Sequence, residues 1–183
     1  MRINGVVVLL LISLSAIQGR PLEKLRLADN HLCTSRAGKA IQEILKQKTA
    51  ITELDLKNNY NQYFASSGSG FAAELALGLI ANTKLTKLDV SENMIGAEGT
   101  RKVVEALKEN RTMTELNVAG NRFAQYHQMS GIEALIETGS SWPSLKSIDL
   151  AGNYVPETQQ RQVDRVFGRE VVRWQSKEAA DTQ

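Results

Sequence analysis

Cysteine and histidine are almost missing from this chain: Cys33 is the single cysteine, and His31 and His127 are the two histidines, in 183 residues. One cysteine excludes an intramolecular disulfide framework and a thiolate-rich zinc site. Two histidines leave little for metal or acid/base chemistry. An excess of one charge is lacking too, because 22 basic residues face 20 acidic ones for a formal charge of +2. That near-balance removes the electrostatic case for nucleic acid or an anionic membrane surface as the main partner. Long apolar runs are also absent: the longest, Val6 to Leu14, falls short of the roughly 20 residues that a membrane span needs. What remains is an ordinary folding composition, 42% apolar and 23% charged, at a length that suits one domain.

The start of the chain stands apart. Arg2 precedes the apolar run, which continues weakly through Ser15, Ala16 and Ile17 to Gln18, Gly19 and Arg20. A basic start, an apolar stretch and a small-residue exit have the form of a secretory signal peptide, assigned to residues 1–19. Its removal leaves no membrane anchor and makes the protein secreted or endomembrane. The alternative is a buried element of a truncated first repeat, with a cytoplasmic protein as the consequence. Asn110-Arg-Thr112 is a glycosylation sequon, which acquires meaning only in the secretory pathway.

Residues 20–155 are repetitive. Leu22-Glu-Lys-Leu25-Arg-Leu27-Ala-Asp-Asn30, Ile51-Thr-Glu-Leu54-Asp-Leu56-Lys-Asn-Asn59, Leu85-Thr-Lys-Leu88-Asp-Val90-Ser-Glu-Asn93, Met113-Thr-Glu-Leu116-Asn-Val118-Ala-Gly-Asn121 and Leu145-Lys-Ser-Ile148-Asp-Leu150-Ala-Gly-Asn153 share the pattern LxxLxLxxN. The spacing of their starts, at Leu22, Ile51, Leu85, Met113 and Leu145, matches a unit of about 28 or 29 residues with two insertions. In each segment the apolar alternation has the strand period of 2. The segments that follow switch to helical spacing, as in Ile41, Ile44, Leu45 and in Val103, Ala106, Leu107.

The pattern and its length resemble the leucine-rich repeat family, in its ribonuclease-inhibitor-like subclass. Arrays of that kind occur in ribonuclease inhibitor, cytosolic nucleotide-binding immune receptors, tropomodulin and Ran GTPase-activating protein. The resemblance runs from Leu22 to about Trp174 and implies an α/β fold: a right-handed solenoid bent into a horseshoe arc, with a parallel sheet on the concave side and helices on the convex side. Extracellular members commonly carry cysteine-rich caps, which this chain does not.

Strand and helix in each unit share one apolar interior that stacking continues. Asn30, Asn59, Asn93, Asn121 and Asn153 end the strands, where their amides can bond backbone groups that the turn leaves free. They are scaffold and not catalytic. Residues 156–174 read as a C-terminal cap, an amphipathic stretch that supplies Val163, Val166 and Phe167, followed by Val171, Val172 and Trp174, with a polar outer side. Residues 175–183 read as a frayed tail.

The loops after the asparagines leave from one end of the strands and gather Tyr60, Tyr63, Phe64, Phe123, Tyr126, His127 and Tyr154. Phe123 is discounted as core, because it follows Asn121 by two as Leu32, Ile95 and Val155 follow theirs. The others form an aromatic edge suited to recognition. Ser130-x-x-Glu133 has the form of a capping box for the next helix. The second insertion, around Trp142, lies at the opposite edge, where the indole covers the core.

On the concave side, exposed residues stack into columns about 5 Å apart: Lys24, Glu53, Lys87, Glu115, Ser147, and beside them Arg26, Asp55, Asp89, Asn117, Asp149. With Asp29, Lys57 and Glu92 the face holds seven acids against four bases, a net −3 on a +2 chain. The expected function is therefore non-enzymatic capture of another protein. Glu53, Asp55, Asp89, Glu92, Glu115, Asn117 and Asp149 would meet a basic patch of it, and Tyr60, Tyr63, Phe64, Tyr126 and Tyr154 would add contacts. No cofactor, small-molecule substrate or nucleic acid is expected, and the protein is expected to be a monomer. The alternatives are a small-GTPase regulator of the Ran GTPase-activating type and a fragment of a larger receptor or actin-capping array.

Overall fold

The computed structural model describes residues 22–46, 50–60, 67–108 and 110–175. The expected signal segment, residues 1–19, lies outside them. Each LxL core makes a three-residue strand: β1 (Lys24–Arg26), β2 (Glu53–Asp55), β3 (Lys87–Asp89), β4 (Glu115–Asn117) and β5 (Ser147–Asp149). The middle residue of each is buried and its two neighbours are not fully covered. Between them run α1 (Ser35–Lys46), α2 (Ser67–Ala81), α3 (Gly96–Ala106) and α4 (Ser130–Thr138), with α5 (Glu157–Phe167) after β5. A helical crossover returns the chain to the same end, so every strand pair is parallel. The sheet runs in chain order without a swap. Strand and helix faces meet in one continuous core containing Leu54, Leu88, Leu116, Phe71, Val103 and Leu135.

The asparagines tie the units together. Asn30 N–H donates to Asn59 Oδ1 (2.9 Å), Asn59 N–H to Asn93 Oδ1 (2.9 Å), Asn93 N–H to Asn121 Oδ1 (3.0 Å) and Asn121 N–H to Asn153 Oδ1 (2.7 Å). From Asn59 onward each amide nitrogen then bonds its own unit and the preceding one: Asn93 Nδ2 donates to Val90 O (3.0 Å) and to Leu56 O (2.8 Å). The turn that delivers this geometry uses left-handed backbone before the asparagine, at Asp29, Asn58, Glu92, Gly120 and Gly152. Only in the last two units does glycine remove the steric cost of that conformation.

At the opposite edge the residue three before the third and fourth repeats does a related task. Asn82 Oδ1 accepts from Lys84 N (2.9 Å) and Leu85 N (3.0 Å), and Asn110 Oδ1 from Thr112 N (2.9 Å) and Met113 N (2.8 Å). Trp142 occupies the same place in the next unit, covers the core as expected, and donates from Nε1 to Leu107 O (2.8 Å). Its ring stacks on Phe167, centroids 6.1 Å apart. Asn110 is buried and its amide nitrogen is spent on Leu85 O. In the folded chain the sequon nitrogen therefore does not face solvent.

Two expectations change. The cap is more than an amphipathic tail, because Val172–Arg173 forms a sixth strand, β6, paired with β5. Ile148 N and Leu150 N donate to Val171 O and Arg173 O at 2.8 Å each, so β5 does not present an open edge. The capping box at Ser130 is not made. Ser130 already lies in the first turn of α4, Met129 holds the cap position without a side-chain bond, and Glu133 N–H donates to Met129 O.

Replacing Asn93 by Ala is expected to lower the urea midpoint by an amount equivalent to roughly 3 kcal/mol, given about 1–3 kcal/mol for each buried polar group left unmet. Asn30→Ala, at the half-buried end of the series, should cost clearly less, and equal losses in the two variants would refute the ladder as the link between units.

Candidate functional site

The strand register brings the two predicted columns into being. Lys24 pairs with Glu53, Glu53 with Lys87, Lys87 with Glu115 and Glu115 with Ser147; beside them run Arg26, Asp55, Asp89, Asn117 and Asp149. All of them but Lys24 line a shallow open groove of about 280 Å³ across the sheet. The sixth strand adds Arg173 opposite Asp149, which brings the face to five bases against the same seven acids. Its net charge is −2 and not the expected −3.

Most of that charge is neutralised within the face. Lys24 Nζ lies 2.9 Å from Glu53, Lys57 Nζ 3.2 Å from Glu92, Lys87 Nζ 2.7 Å from Glu115, and Arg173 Nη1 3.2 Å from Asp149. The Lys24 bond holds the Glu53 carboxyl below the usual glutamate range, and Glu92 and Glu115 raise Lys57 and Lys87 respectively. These pairs are solvent-exposed and contribute little stability each. Their consequence is that Glu53, Glu92, Glu115 and Asp149 are each already half of an ion pair.

The second column also serves the turns. Asp55 Oδ1 accepts Lys57 N–H (3.0 Å), Asp89 Oδ1 accepts Ser91 N–H (2.9 Å), Asn117 Oδ1 accepts Ala119 N–H (3.1 Å), and Asp149 Oδ1 accepts Ala151 N–H (3.1 Å). In the second to fifth units this position holds a short side-chain acceptor two residues before the turn amide, whatever its charge, while Arg26 takes it in the first. Asp89 is further occupied by Ser91 Oγ (2.6 Å) and by Asn117 Nδ2 (2.8 Å). Burial pushes its carboxyl above the usual aspartate range against those bonds, and Asp55 adds to the upward push. Asp29 accepts from Asn58 Nδ2 (2.7 Å). Among the described residues, Asp55 and Asp89 make no ion pair, and neither does Arg26 at the end of the column. Asp55 and Asp89 are strand neighbours, so the face keeps one focus of two adjacent carboxylates.

The aromatic edge is only partly assembled. Tyr126 is 82% and Tyr154 63% exposed, in the loops of adjacent units. Tyr60 is half-buried, with His31 Nδ1 at 3.3 Å from its carbonyl. The third unit, whose loop has no aromatic residue, stands between Tyr60 and the other two. Tyr63, Phe64 and the side chain of His127 lie outside the described residues. Phe123 is core, as its offset from Asn121 predicts.

Arg173 and Ser91 are the site residues that sequence reading missed. Val171-Val172-Arg173-Trp174 has a strand-like run of β-branched and aromatic residues, which was the available signal for the first. Among the described residues no group of His, Cys, Asp and Glu is arranged to hold a metal ion.

With this geometry in place, comparison with known proteins gives the class. The family model described as Leucine Rich repeat matches residues 81–103 and 109–124, which cover β3, β4, their turns and most of α3. The chain carries leucine-rich repeats folded as an α/β solenoid with a single parallel sheet. It is also similar to Rho GTPase-activating protein gacW of Dictyostelium discoideum, 32% identical over 90 residues. Those residues are 49% of this chain and 8% of that protein, so the chain spans a small part of the relative's length.

Two outcomes follow from the site chemistry. Ionising Asp89 costs the folded state more than the unfolded chain, whose aspartates titrate near about 3.9, so the associated stability is present below that pH and is lost as pH rises through the folded value. Asp89→Asn should therefore gain stability relative to the parent as pH rises from about 4 to about 7 in chemical denaturation, while a pH-independent difference would count against the burial account. Cys33 is fully buried, its thiol lies 3.2 Å from Asn93 O, and burial pushes its pKa up to about 12. A thiolate-directed reagent at pH 8 should leave the native protein unlabelled and label it fully in urea, as read by mass.

Proposed function

We propose that this chain is a non-enzymatic protein-binding module of the ribonuclease-inhibitor-like subclass, which takes a basic segment of another protein onto its sheet face. The subclass is supported by a true helix on the outer side of each unit and by a repeat length of about 28 or 29 residues. The observation that carries the function is the Asp55 and Asp89 pair: two adjacent carboxylates that make no ion pair among the described residues, in an open groove whose other acids are already paired. A partner lysine or arginine there gains charge-assisted hydrogen bonds without displacing an existing ion pair. The mixed-sign ladder beside it sets register and rejects like charge. Tyr126 and Tyr154 stand at the loop edge of the next two units along the sheet and would supply apolar contact with a polar tip to a partner that extends that far.

A second reading rests on the relative's name. A regulator of small GTPases is supported by the likeness to a Rho GTPase-activating protein, and the matched fraction favours a scaffolding contribution over the catalytic one. Multiple-turnover GTP hydrolysis with a panel of Rho-type and Ran-type GTPases separates the two: acceleration by this chain alone would defeat the binding-module reading.

Asp55→Lys is the decisive variant, because it reverses charge at the focus while sparing the Asp89 network. In affinity capture from the native source with mass-spectrometric readout, its partner is expected to be lost or weakened at least tenfold, with a flatter dependence on salt. Capture unchanged at low ionic strength would remove the sheet face from the interaction.

A further inference from the structure

The outer side of the solenoid is not uniformly polar. On α1 the exposed positions include Lys39, Glu43 and Lys46, and on α3 Glu98, Arg101, Lys102 and Glu105 lie on or near the surface. Helix α2 between them carries one charge in 15 residues, Glu74. Its inner side is spent on Phe71, Leu75 and Leu79, all buried. Its outer side repeats the apolar choice, leaving Leu77 50% and Ile80 62% exposed. Beside these two lies a groove of about 360 Å³ between α2 and α3, with Ala73, Ala76 and Ala106 as its small-residue floor. Lys102 and Glu105 stand on its far rim.

We propose that this α2–α3 surface is a twofold interface with a second copy of the chain. A twofold contact requires one patch to complement itself, and three features of this patch do so. Two aliphatic knobs sit next to a depression floored by alanines, so each copy can lay Leu77 and Ile80 into the groove of the other, ridge into groove. The rim carries one base and one acid a helical turn apart on α3, and Glu105 also takes Arg101 Nη1 of its own helix at 2.6 Å, a contact that a lysine of the mate would join rather than replace. An antiparallel approach of two α3 helices sets Lys102 of one copy against Glu105 of its mate and the reverse. Lys102 can turn to that task, since its pairing with Glu98 spans 3.7 Å at the surface. A rim with one charge of each sign gives no net attraction to a singly charged partner, whereas it matches its own rotated image. Burying the two side chains removes the apolar exposure that a soluble surface otherwise bears. The arrangement departs from the expected monomer, and it leaves the sheet face and the tyrosine edge open, because helices and strands occupy opposite sides of each unit.

The test is sedimentation equilibrium of the full chain over a concentration series, with parallel light scattering. The parent protein is expected to show a monomer–dimer equilibrium. Leu77→Glu with Ile80→Glu should abolish the dimer, and the milder Leu77→Ala with Ile80→Ala, which leaves the core untouched, should weaken it about tenfold or more. Lys102→Glu alone and Glu105→Lys alone should each weaken association, and the two together should restore it, an outcome that a merely structural role of either residue would not produce. A parent that stays monomeric at about 100 µM, where a Kd weaker than that already marks a negligible interface, overturns the proposal. So does a dimer that persists in the glutamate variant, since association then uses another surface. A monomeric parent that binds phosphatidylcholine vesicles through Leu77 and Ile80, or holds an amphipathic helix of another protein there, would assign the patch to that occupant instead.

Discussion

The structure depends on a buried amide shared between neighbours. From Asn59 onward each strand-ending asparagine accepts a backbone N–H from the unit before it and donates to carbonyls of two units at once. The turn groups it meets are sealed from water, where an unmet donor or acceptor is costly. Repeats of unequal length are therefore reduced to one constant step at the strand, and additional residues are expelled into the loops. The strict in-phase register of the sheet is the result.

That register turns sequence spacing into surface chemistry. Residues one repeat apart become neighbours, so lysine and glutamate alternate as a ladder and Asp55 comes to lie beside Asp89. The same position is claimed by the turn, which takes a short acceptor at the end of the second to fifth strands. Acidity of the second column thus has two causes. One oxygen answers the backbone, and the remaining valence faces the groove. In the fourth unit, Asn117 meets the backbone demand without the charge, and its amide in turn bonds Asp89.

Variation between units is concentrated where the ladder does not reach. The glycine turns of the fourth and fifth units relieve backbone strain that Asp29, Asn58 and Glu92 bear. At the far edge Trp142 replaces an asparagine and closes the core against Phe167. Helix α2 has no charged outer face, which leaves an apolar ridge amid the ionic surfaces of its neighbours. Scaffold positions repeat, and the departures from repetition mark the surfaces that distinguish this protein.

The repeated alternation of Leu54/Leu56, Leu88/Val90 and Leu116/Val118 was enough to show strands with one buried face, while the parallel sheet, its order and the columns on it came from the resemblance of the repeat to the leucine-rich repeat family and are seen in the fold. Phe123 and Trp142 were legible by their offset from a repeated landmark. The fate of individual charges was not legible. Whether Glu115 finds Lys87, whether Asp89 is hydrated or buried, and whether Asn110 faces solvent depend on side-chain placement a few ångströms across unit boundaries. Ser130 failed as a cap by a single helical position, and β6 needed an edge to pair with. Only the folded chain supplied these, since hydrogen bonds and ion pairs are decided by distance and desolvation, to which linear spacing is blind.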